Sequence, residues 1–308
     1  MAESIQSSLK FGGEQGAATL LVRRWPGAGA PVLYVHGATF PSALSVGYRF
    51  DGRAWADHLH QHGFDVWAFD FIGFGGSTRP AALNGPAAAA PPIGRAPDAA
   101  RQIAAVVDRI RHARDGARVH VVAHSWGTIA TGLYASEHAG ALGRLVLFGP
   151  IAQRQIEGLP TPDQIGAWSD ISVAQQLTRF VEDVPVGHPP VLNEPELALW
   201  GPAYLATDTD AAGRKPPAVR IPAGPQADIL AAMSGRLAYA PGDIAAPTLI
   251  VRGAWDNLCR DGDAAWLTNA LGAREKSDVV IPTATHLMHL EHGRGALFEA
   301  TTRWLSLE

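Results

Sequence analysis

The sequence predicts an α/β fold in which a mostly parallel central sheet is flanked by helices. Short runs of Val, Ile and Leu recur without in/out alternation, as in strands of a parallel sheet covered on both faces. Segments with helical periodicity lie between them, and this alternation favours parallel strands joined by right-handed crossovers. The chain has 308 residues, 47% of them hydrophobic and 18% charged, which is enough to bury such a core.

Six segments are predicted as buried strands and five as helices that follow them. The strands are PVLYVHG (31–37), FDVWAFD (64–70), RVHVVAHS (118–125), RLVLFGP (144–150), PTLIVRG (247–253) and SDVVIPTATH (277–286). The helices are residues 52–63, 97–116, 126–140, 261–273 and 293–307. SIQSSLKFGG and AATLLVRRWP are predicted to form an opening hairpin that adds antiparallel edge strands. The Ala/Pro-rich residues 80–97 are predicted to be a mobile surface loop.

The alternation of strand and helix stops between residues 151 and 246. This segment shows no clear buried strand and holds helical pieces such as SVAQQLTRFVEDV and PQADILAAMSGRLAY. We therefore expect two units: a core formed by residues 1–150 and 247–308, and a helical cap formed by residues 151–246. The cap carries 6 Lys/Arg against 11 Asp/Glu, which makes it a poor cradle for a polyanionic substrate.

Composition excludes several classes of function. The net charge is −4 and no Lys/Arg-rich run occurs, so a nucleic-acid partner is not expected. No stretch of about 18 apolar residues is present, so no membrane span is expected. The first residues lack the pattern of a signal peptide, and the single cysteine is compatible with a reducing cytoplasm, so a cytoplasmic location is expected. The sequence leaves the oligomeric state open.

Polar motifs follow several predicted strands at their carboxyl ends, where the loops of an open α/β sheet meet in one crevice. HGATF follows the first of the six strands, and D-x-x-G-x-G-x-S (Asp70 to Ser77) follows the second. The third ends in AHSWG, which fits the G-x-S-x-G nucleophile elbow with alanine in place of the first glycine. GAWD, ending in Asp256, and TATHLMHLE, containing His286, follow the last two strands.

Together these motifs and their Ser–Asp–His chain order resemble the α/β-hydrolase superfamily, in its branch with a cap between the sixth and seventh strands. The resemblance implies Ser125 as nucleophile, His286 as general base and Asp256 as the residue that orients His286. The backbone N–H groups of Trp126 and Ala38 are the implied oxyanion hole. No cofactor and no metal are implied.

Other polar residues could compete for these roles. His289 follows His286 by three residues, but we assign it a supporting or structural role. His124 is expected to point into the packing, and the histidines of HLHQH (58–62) to lie on a solvated helix face. Asp261 and Asp263 are interpreted as the acidic start of a helix, and Cys259 as a packed thiol.

The expected substrate is a neutral, moderately apolar small molecule with an acyl group. The residues predicted to line its pocket are Thr39, Phe40, Tyr48, Phe50, Trp168, Trp200 and Tyr204. No cationic clamp stands out, although Arg24, Arg49 or Arg53 could supply one.

The predicted reaction is hydrolysis of an ester, thioester or lactone through an acyl-enzyme. Prolyl-aminopeptidase chemistry is an alternative, with Glu194, Glu196 or Asp208 as candidates to hold a free amino terminus. C–C bond hydrolysis and acyl transfer would use the same three side chains. A non-catalytic ligand-binding module on the same fold is the remaining alternative.

Overall fold

The structure is a computed structural model that describes residues 3–13, 16–192 and 194–307. Its strands are β1 (Ile5–Gly13), β2 (Gly16–Trp25), β3 (Pro31–Val35), β4 (Asp65–Phe69), β5 (Val119–His124), β6 (Leu142–Phe148), β7 (Trp168–Ser172), β8 (Ala218–Pro222), β9 (Thr248–Gly253) and β10 (Lys276–Ile281). Its helices are α1 (Trp55–Gln61), α2 (Ala96–Ala113), α3 (Gly127–Glu137), α4 (Val173–Val181), α5 (Glu194–Leu205), α6 (Gly224–Met233), α7 (Asp261–Ala270) and α8 (Arg294–Leu305). None of the helices in the described ranges is long and apolar enough to cross a membrane.

Eight strands form the central sheet in the order β1-β2-β4-β3-β5-β6-β9-β10. The hairpin of β1 and β2 joins the sheet antiparallel to β4, and all other neighbours run parallel. The structure thus confirms the predicted α/β class, the opening hairpin, the six parallel strands and the five helices. Most differences at their ends amount to a few residues.

Alternate strand residues pack into two hydrophobic cores because successive side chains point to opposite faces of the sheet. Leu33 and Val121, paired across β3 and β5, belong to the core shared with α2, α3 and α7. Tyr34 and Val122, the next pair, belong to the core shared with α1 and α8. The central strands are therefore buried on both faces, which explains their unbroken apolar runs.

The last strand corrects one prediction. Residues 277–286 were expected to be a buried strand, but β10 ends at Ile281 and lies at the edge of the sheet. Lys276, Asp278 and Val280 are exposed, since only one side of an edge strand is covered. The chain then turns through Thr283, whose φ is +53°, and reaches His286 outside the strand.

The segment between β6 and β9 contains strands that the sequence did not reveal. β7 and β8 form an antiparallel pair, with Ile171 opposite Val219; α4 packs against β7, α5 packs against β8, and α6 follows β8 in the chain. Both strands have only five residues and include polar or half-buried positions, so they lack the apolar run that marks the central strands.

The Ala/Pro-rich residues 80–97 form a surface loop, as predicted, but parts of this loop are anchored in the molecule. Leu83 and Ile93 are buried and pack against Ala167, just before β7. The Ile93 N–H donates to the Ala167 carbonyl at 3.3 Å, and the Ala167 N–H donates to the Ala87 carbonyl at 2.8 Å. This loop therefore connects the β6–β9 segment to the rest of the molecule.

Candidate active site

Ser125 stands at the sharp turn between β5 and α3. Its φ is +55°, a conformation that a non-glycine residue adopts at a cost and only where the surroundings impose it. Two glycines make the turn possible. A Cβ on Gly127 would lie 2.5 Å from the His36 carbonyl oxygen, and one on Gly37 would lie 3.2 Å from the Ser125 Cβ. The small residues around the serine thus let β3, β5 and α3 approach closely.

His286 links Ser125 to Asp256. Its Nε2 lies 2.8 Å from the Ser125 Oγ, and its Nδ1 lies 2.9 Å from Asp256 Oδ2. All three side chains are at least 95% buried, so little water competes for these hydrogen bonds. The three residues that the sequence singled out, from three separate loops, therefore form one hydrogen-bonded chain.

Asp256 is held as a carboxylate by its surroundings. Burial alone would raise its pKa, but the neighbouring His286 and the N–H groups of Cys259 and Leu258 more than offset this, and the pKa lies below its usual value. These two N–H groups donate to Oδ1 at 2.9 and 2.8 Å. The other oxygen, Oδ2, is left to accept from His286 Nδ1–H, which fixes the imidazole with Nε2 facing Ser125.

Gly149, just after β6, leaves room for this pair. A Cβ there would lie 2.9 Å from His286 Nδ1 and 3.0 Å from Asp256 Oδ2, and the glycine has a φ of +51°. None of the sequence motifs singled out this residue. The Gly-Pro pair that ends the strand segment RLVLFGP was the available signal.

The N–H groups of Ala38 and Trp126 donate no hydrogen bond within the described parts of the chain. Ala38 lines the recess that contains Ser125 and His286. The indole of Trp126 points away from it and donates through Nε1 to Asp228 of α6 at 3.0 Å. The backbone of Trp126 is therefore the part left for a ligand at Ser125.

The HG and D-x-x-G-x-G-x-S motifs have structural roles that explain their residue types. The Phe71 N–H donates to His36 Nε2 at 3.1 Å, so His36 Nδ1 carries the hydrogen and donates to the Gly37 carbonyl at 2.8 Å. Asp70 accepts from the N–H and Oγ of Ser42 at 3.0 and 2.6 Å and from Arg23 at 3.0 Å. These bonds fix the loop that carries Ala38.

A cavity of about 270 Å³ lies between the β6–β9 segment and the loop after β3. Its lining is mostly apolar and consists of Ala38, Thr39, Ser169, Ile171, Arg179, Ile221, Pro222, Ala223, Pro225, Gln226 and Ile229. Ala38, Thr39 and Arg179 also line the recess at Ser125, which adjoins the cavity. No described acidic side chain lines either space.

Only some of the predicted pocket residues lie at these two spaces. Thr39 lines both, and Phe40 lines the recess at Ser125. Tyr48 is half-buried elsewhere, where its hydroxyl donates to the Glu196 carbonyl at 3.4 Å. Trp168 lies under the guanidinium of Arg220, 3.2 Å from ring centroid to Cζ.

The other three aromatic residues belong to the hydrophobic core, which corrects their expected role. Phe50, Trp200 and Tyr204 are at most 1% exposed and line neither space. Trp200 stacks on Tyr204 with centroids 5.1 Å apart. Trp200 also packs edge-on against Phe40 of the loop after β3, with centroids 5.4 Å apart, and so joins the β6–β9 segment to the rest of the chain. Sequence spacing alone does not distinguish such a role from a pocket wall.

His124 and His289 are buried beside the catalytic candidates. The ring of His124 stacks on Phe148 and donates through Nε2 to the His286 carbonyl at 3.1 Å. His289 has no hydrogen-bond partner at either nitrogen among the described residues. Burial, then the proximity of His286, lowers the pKa of His289 to about 3, so its ring is neutral.

The histidines of HLHQH do not all lie on a solvated face, as was expected. His58 is 2% exposed, accepts from Arg53 Nη2 at 2.8 Å through Nδ1, and donates through Nε2 to Thr302 Oγ1 at 3.1 Å. One group of described residues has the spacing of a metal site: the ligand atoms of His58, His62 and Glu299 lie within 4.8 Å of one another. Both ring nitrogens of His58 are, however, already engaged.

The arginines considered as a cationic clamp are engaged elsewhere. Arg24 pairs with Asp65 at 2.8 Å, Arg49 with Asp57 at 2.9 Å, and Arg53 contacts His58. The cation that does line the site is Arg179 of α4. The sequence offered one signal for it, because Gln176, Arg179 and the buried Phe180 share one helix face at three- and four-residue spacing.

Comparison with known proteins places the chain in a family. A family model described as "Serine aminopeptidase, S33" matches residues 48–293. The chain belongs to this family of α/β-hydrolases. No curated protein sequence matches it significantly.

Solved structures similar to the chain share its fold at low sequence identity. A serine hydrolase involved in carbazole degradation (CarC) has a TM-score of 0.63 and 18% identity, covering 98% of this chain and 100% of its own. The thioesterase domain from the curacin biosynthetic pathway has a TM-score of 0.63 and 16% identity, with 98% and 99% covered. An esterase from Exiguobacterium antarcticum has a TM-score of 0.64 and 16% identity, with 98% and 100% covered.

Proposed function

We propose that this hydrolase cleaves a carboxylic ester, thioester or lactone of a small molecule through an acyl-enzyme on Ser125. The observation that carries the proposal is the buried chain from Ser125 Oγ through His286 to Asp256, with links of 2.8 and 2.9 Å. A serine hydroxyl becomes a useful nucleophile at neutral pH only when a positioned base accepts its proton. His286 is such a base, and the carboxylate of Asp256 stabilises the imidazolium that forms.

The reaction has two halves. Ser125 Oγ attacks the carbonyl carbon as its proton passes to His286 Nε2, and the oxyanion accepts from the N–H groups of Ala38 and Trp126. The carbon–oxygen or carbon–sulfur bond then breaks as His286 protonates the leaving group, and Ser125 remains acylated. Water loses a proton to His286 and attacks the acyl group, and Ser125 recovers its proton when the acid leaves.

Residues 151–246 act as a cap over this site. The cavity supports that assignment, because β7, β8, α4 and α6 of the segment line it together with the loop after β3. Its mostly apolar walls favour a small, moderately apolar substrate body. A volume of about 270 Å³ is near the lower end of ligand pockets, which favours small substrates.

An aminopeptidase is the second candidate because the family model carries that description. It would need an acidic side chain to hold the substrate's amino terminus. Asp208 is buried and forms ion pairs with Arg214 at 2.6 Å and with Arg79 at 3.2 Å. The carboxylate of Glu196 accepts from the Asp51 N–H at 3.3 Å, and the side chain of Glu194 lies outside the described part. The cation that lines the cavity, Arg179, would repel the positively charged amino terminus of a peptide, and this favours the esterase-type reaction.

The test compares wild type with Ser125→Ala, using a fluorophosphonate probe, short p-nitrophenyl esters and prolyl-p-nitroanilide. We expect probe labelling and ester turnover to disappear in the variant, with a loss of about 10³-fold or more. An ester rate that survives the substitution would refute Ser125 as the nucleophile. Faster turnover of the anilide than of the esters would favour the aminopeptidase, and a wild type that neither labels nor turns over either substrate would favour a binding module.

A further inference from the structure

Arg179 is a charged side chain that lines both the recess at Ser125 and the adjoining cavity. It lies near the end of α4 and lines both spaces, together with Ala38 and Thr39. The walls around it are mainly apolar, among them Ile171, Ile221 and Ile229. A guanidinium in such a place has lost part of its water and gains most from a negatively charged partner.

The described part of the chain does not supply that partner. Arg179 Nη1 donates to Thr39 Oγ1 at 3.3 Å, and no carboxylate of the described residues lies within 4.0 Å of the guanidinium. Burial lowers its pKa, and Glu182, Tyr204 and Asp183 act in the opposite direction from a distance. An arginine stays protonated at neutral pH, so a positive charge faces the cavity.

Other arginines of the same region have structural carboxylate partners. Arg220 pairs with Asp170 at 2.9 Å, and Arg154 pairs with Asp263. Arg214 pairs with the buried Asp208 at 2.6 Å. Arg179 differs from these three arginines. Apart from the hydrogen bond to Thr39, its guanidinium N–H groups are available to a ligand. A structural role accounts for these three arginines and leaves the buried Arg179 unexplained.

We propose that Arg179 binds a carboxylate of the substrate, so that the preferred substrate is an ester or thioester carrying a second, free carboxyl group. This inference rests on the proposed function of Ser125 and revises the expectation of a neutral substrate. The planar guanidinium can donate two parallel hydrogen bonds to one carboxylate, and its apolar surroundings strengthen them. The carboxylate is carried either on the acyl part or on the leaving group.

Three phenyl esters separate these sources. Phenyl hexanoate is neutral, monophenyl adipate carries its carboxylate on an acyl chain with the same number of carbons, and 4-carboxyphenyl hexanoate carries it on the leaving group. Hydrolysis of all three is followed by pH-stat, in wild type, Arg179→Gln and Arg179→Lys. Arg236→Gln is the matched control, because it removes one positive charge from an exposed side chain of the same segment that lines neither space.

We expect wild type to prefer one of the two acids over phenyl hexanoate. Arg179→Gln should lower kcat/KM for that acid about 10- to 100-fold, mainly through KM, and change it less than about threefold for phenyl hexanoate. Arg179→Lys should recover part of the loss, and Arg236→Gln should behave as wild type. Which acid responds tells where the carboxylate sits.

The inference is wrong if the ratio of acid to neutral kcat/KM is the same in wild type and Arg179→Gln. An equal loss for all three esters would also overturn it, since that would assign Arg179 a role in the fold or in the common chemistry. Ser125→Ala keeps the two proposals apart. Turnover of phenyl hexanoate that survives Ser125→Ala refutes the proposed function, whereas turnover that depends on Ser125 but is indifferent to Arg179 refutes this inference alone.

Discussion

At the scale of single residues, Gly149 controls how closely Asp256 and His286 approach each other. Gly149 lies opposite their hydrogen bond and has a φ of +51°. A Cβ at this position would lie only 2.9 Å from His286 Nδ1 and 3.0 Å from Asp256 Oδ2. A methyl group there must push one of the two side chains away. The 2.9 Å bond from His286 Nδ1 to Asp256 is then lengthened, and Nε2 loses its alignment with Ser125.

Gly149→Ala should therefore lower kcat by roughly 10²-fold or more, because small displacements of catalytic groups have effects of that size. Steady-state kinetics with a p-nitrophenyl ester measures it. Gly116→Ala is the matched control, since Gly116 also has a positive φ, +79°, but nothing within 4 Å of its Cβ position. The control should lose some stability and keep its kcat. Equal losses of kcat in both variants would mean that backbone strain, not crowding at Asp256, causes the effect.

Some residues of the site could be predicted from the sequence and others could not, for identifiable reasons. Ser125, Asp256 and His286 each follow a predicted strand, so the carboxyl edge of the sheet brings them together whatever the details of packing. Trp200 and Arg179 lie instead in the β6–β9 segment. Whether their side chains face the core or the cavity depends on how α4 and α5 dock, and one sequence does not contain that information.

At the scale of elements, α6 is tied to the turn that carries Ser125. Asp228 of α6 accepts from Trp126 Nε1 at 3.0 Å and from the Ala96 N–H at 2.7 Å, and it pairs with Arg95 at the start of α2. Burial, as the largest effect, raises the pKa of Asp228, and these donors counteract it. One carboxylate thus joins α6, α2 and the residue after Ser125.

Asp228→Ala should lower both stability and turnover, because it leaves the buried Trp126 and Ala96 donors without their acceptor. Hydrogen bonds to charged groups of this kind contribute about 1.5–3 kcal/mol, so the free energy of unfolding should fall by about 2 kcal/mol. Urea unfolding and ester kinetics measure the two effects. Asp243→Ala removes an exposed carboxylate from the same segment and should change neither. Full activity in Asp228→Ala would show that the turn holds its shape without α6.

Element boundaries were predicted least well, and local hydrogen bonds explain why. The helix expected from residue 52 begins at Trp55, because Asp57 accepts from the Ala54 N–H at 3.1 Å and so caps the helix there. Before it, Asp51 and Gly52 turn through positive φ. Periodicity records which face of a helix is apolar, but such a cap decides where the first turn begins.

At the scale of the whole molecule, burial of neutral histidines couples stability to pH. Burial lowers the pKa of His36, His58 and His120 from 6.5 to about 4, and that of His289 to about 3. A group whose pKa is lower in the folded state binds fewer protons when folded. The stability it contributes is therefore present above the unfolded pKa of 6.5 and is lost as the pH falls toward the folded value.

Glu291 acts in the opposite direction over part of this range. Burial raises its pKa from 4.5 to about 7, against the hydrogen bonds that it accepts from Thr285. Its contribution is present below 4.5 and is lost as the pH rises through about 7. The raised pKa of Asp228 acts in the same direction as that of Glu291, whereas the pKa of the buried His124 is lowered like those of the four histidines above. Two carboxyl groups thus oppose five histidines, so the net free energy of unfolding should decline between pH 6.5 and pH 4.

His289→Phe tests this coupling at the histidine with no hydrogen bond to lose. Unfolding by urea at pH 7, 6, 5 and 4.5 should show the decline in wild type, and His289→Phe should flatten it by up to about 1.4 kcal/mol per pH unit, the contribution of one proton. At pH 7 the variant should be at least as stable as wild type, because an apolar ring replaces two buried, unpaired nitrogens. His112→Gln, at an exposed position on α2, should leave the slope as it is. A slope identical in wild type and His289→Phe would mean that His289 gains a proton in the folded state as readily as in the unfolded one, and hence that water reaches the space beside Phe40 and His124.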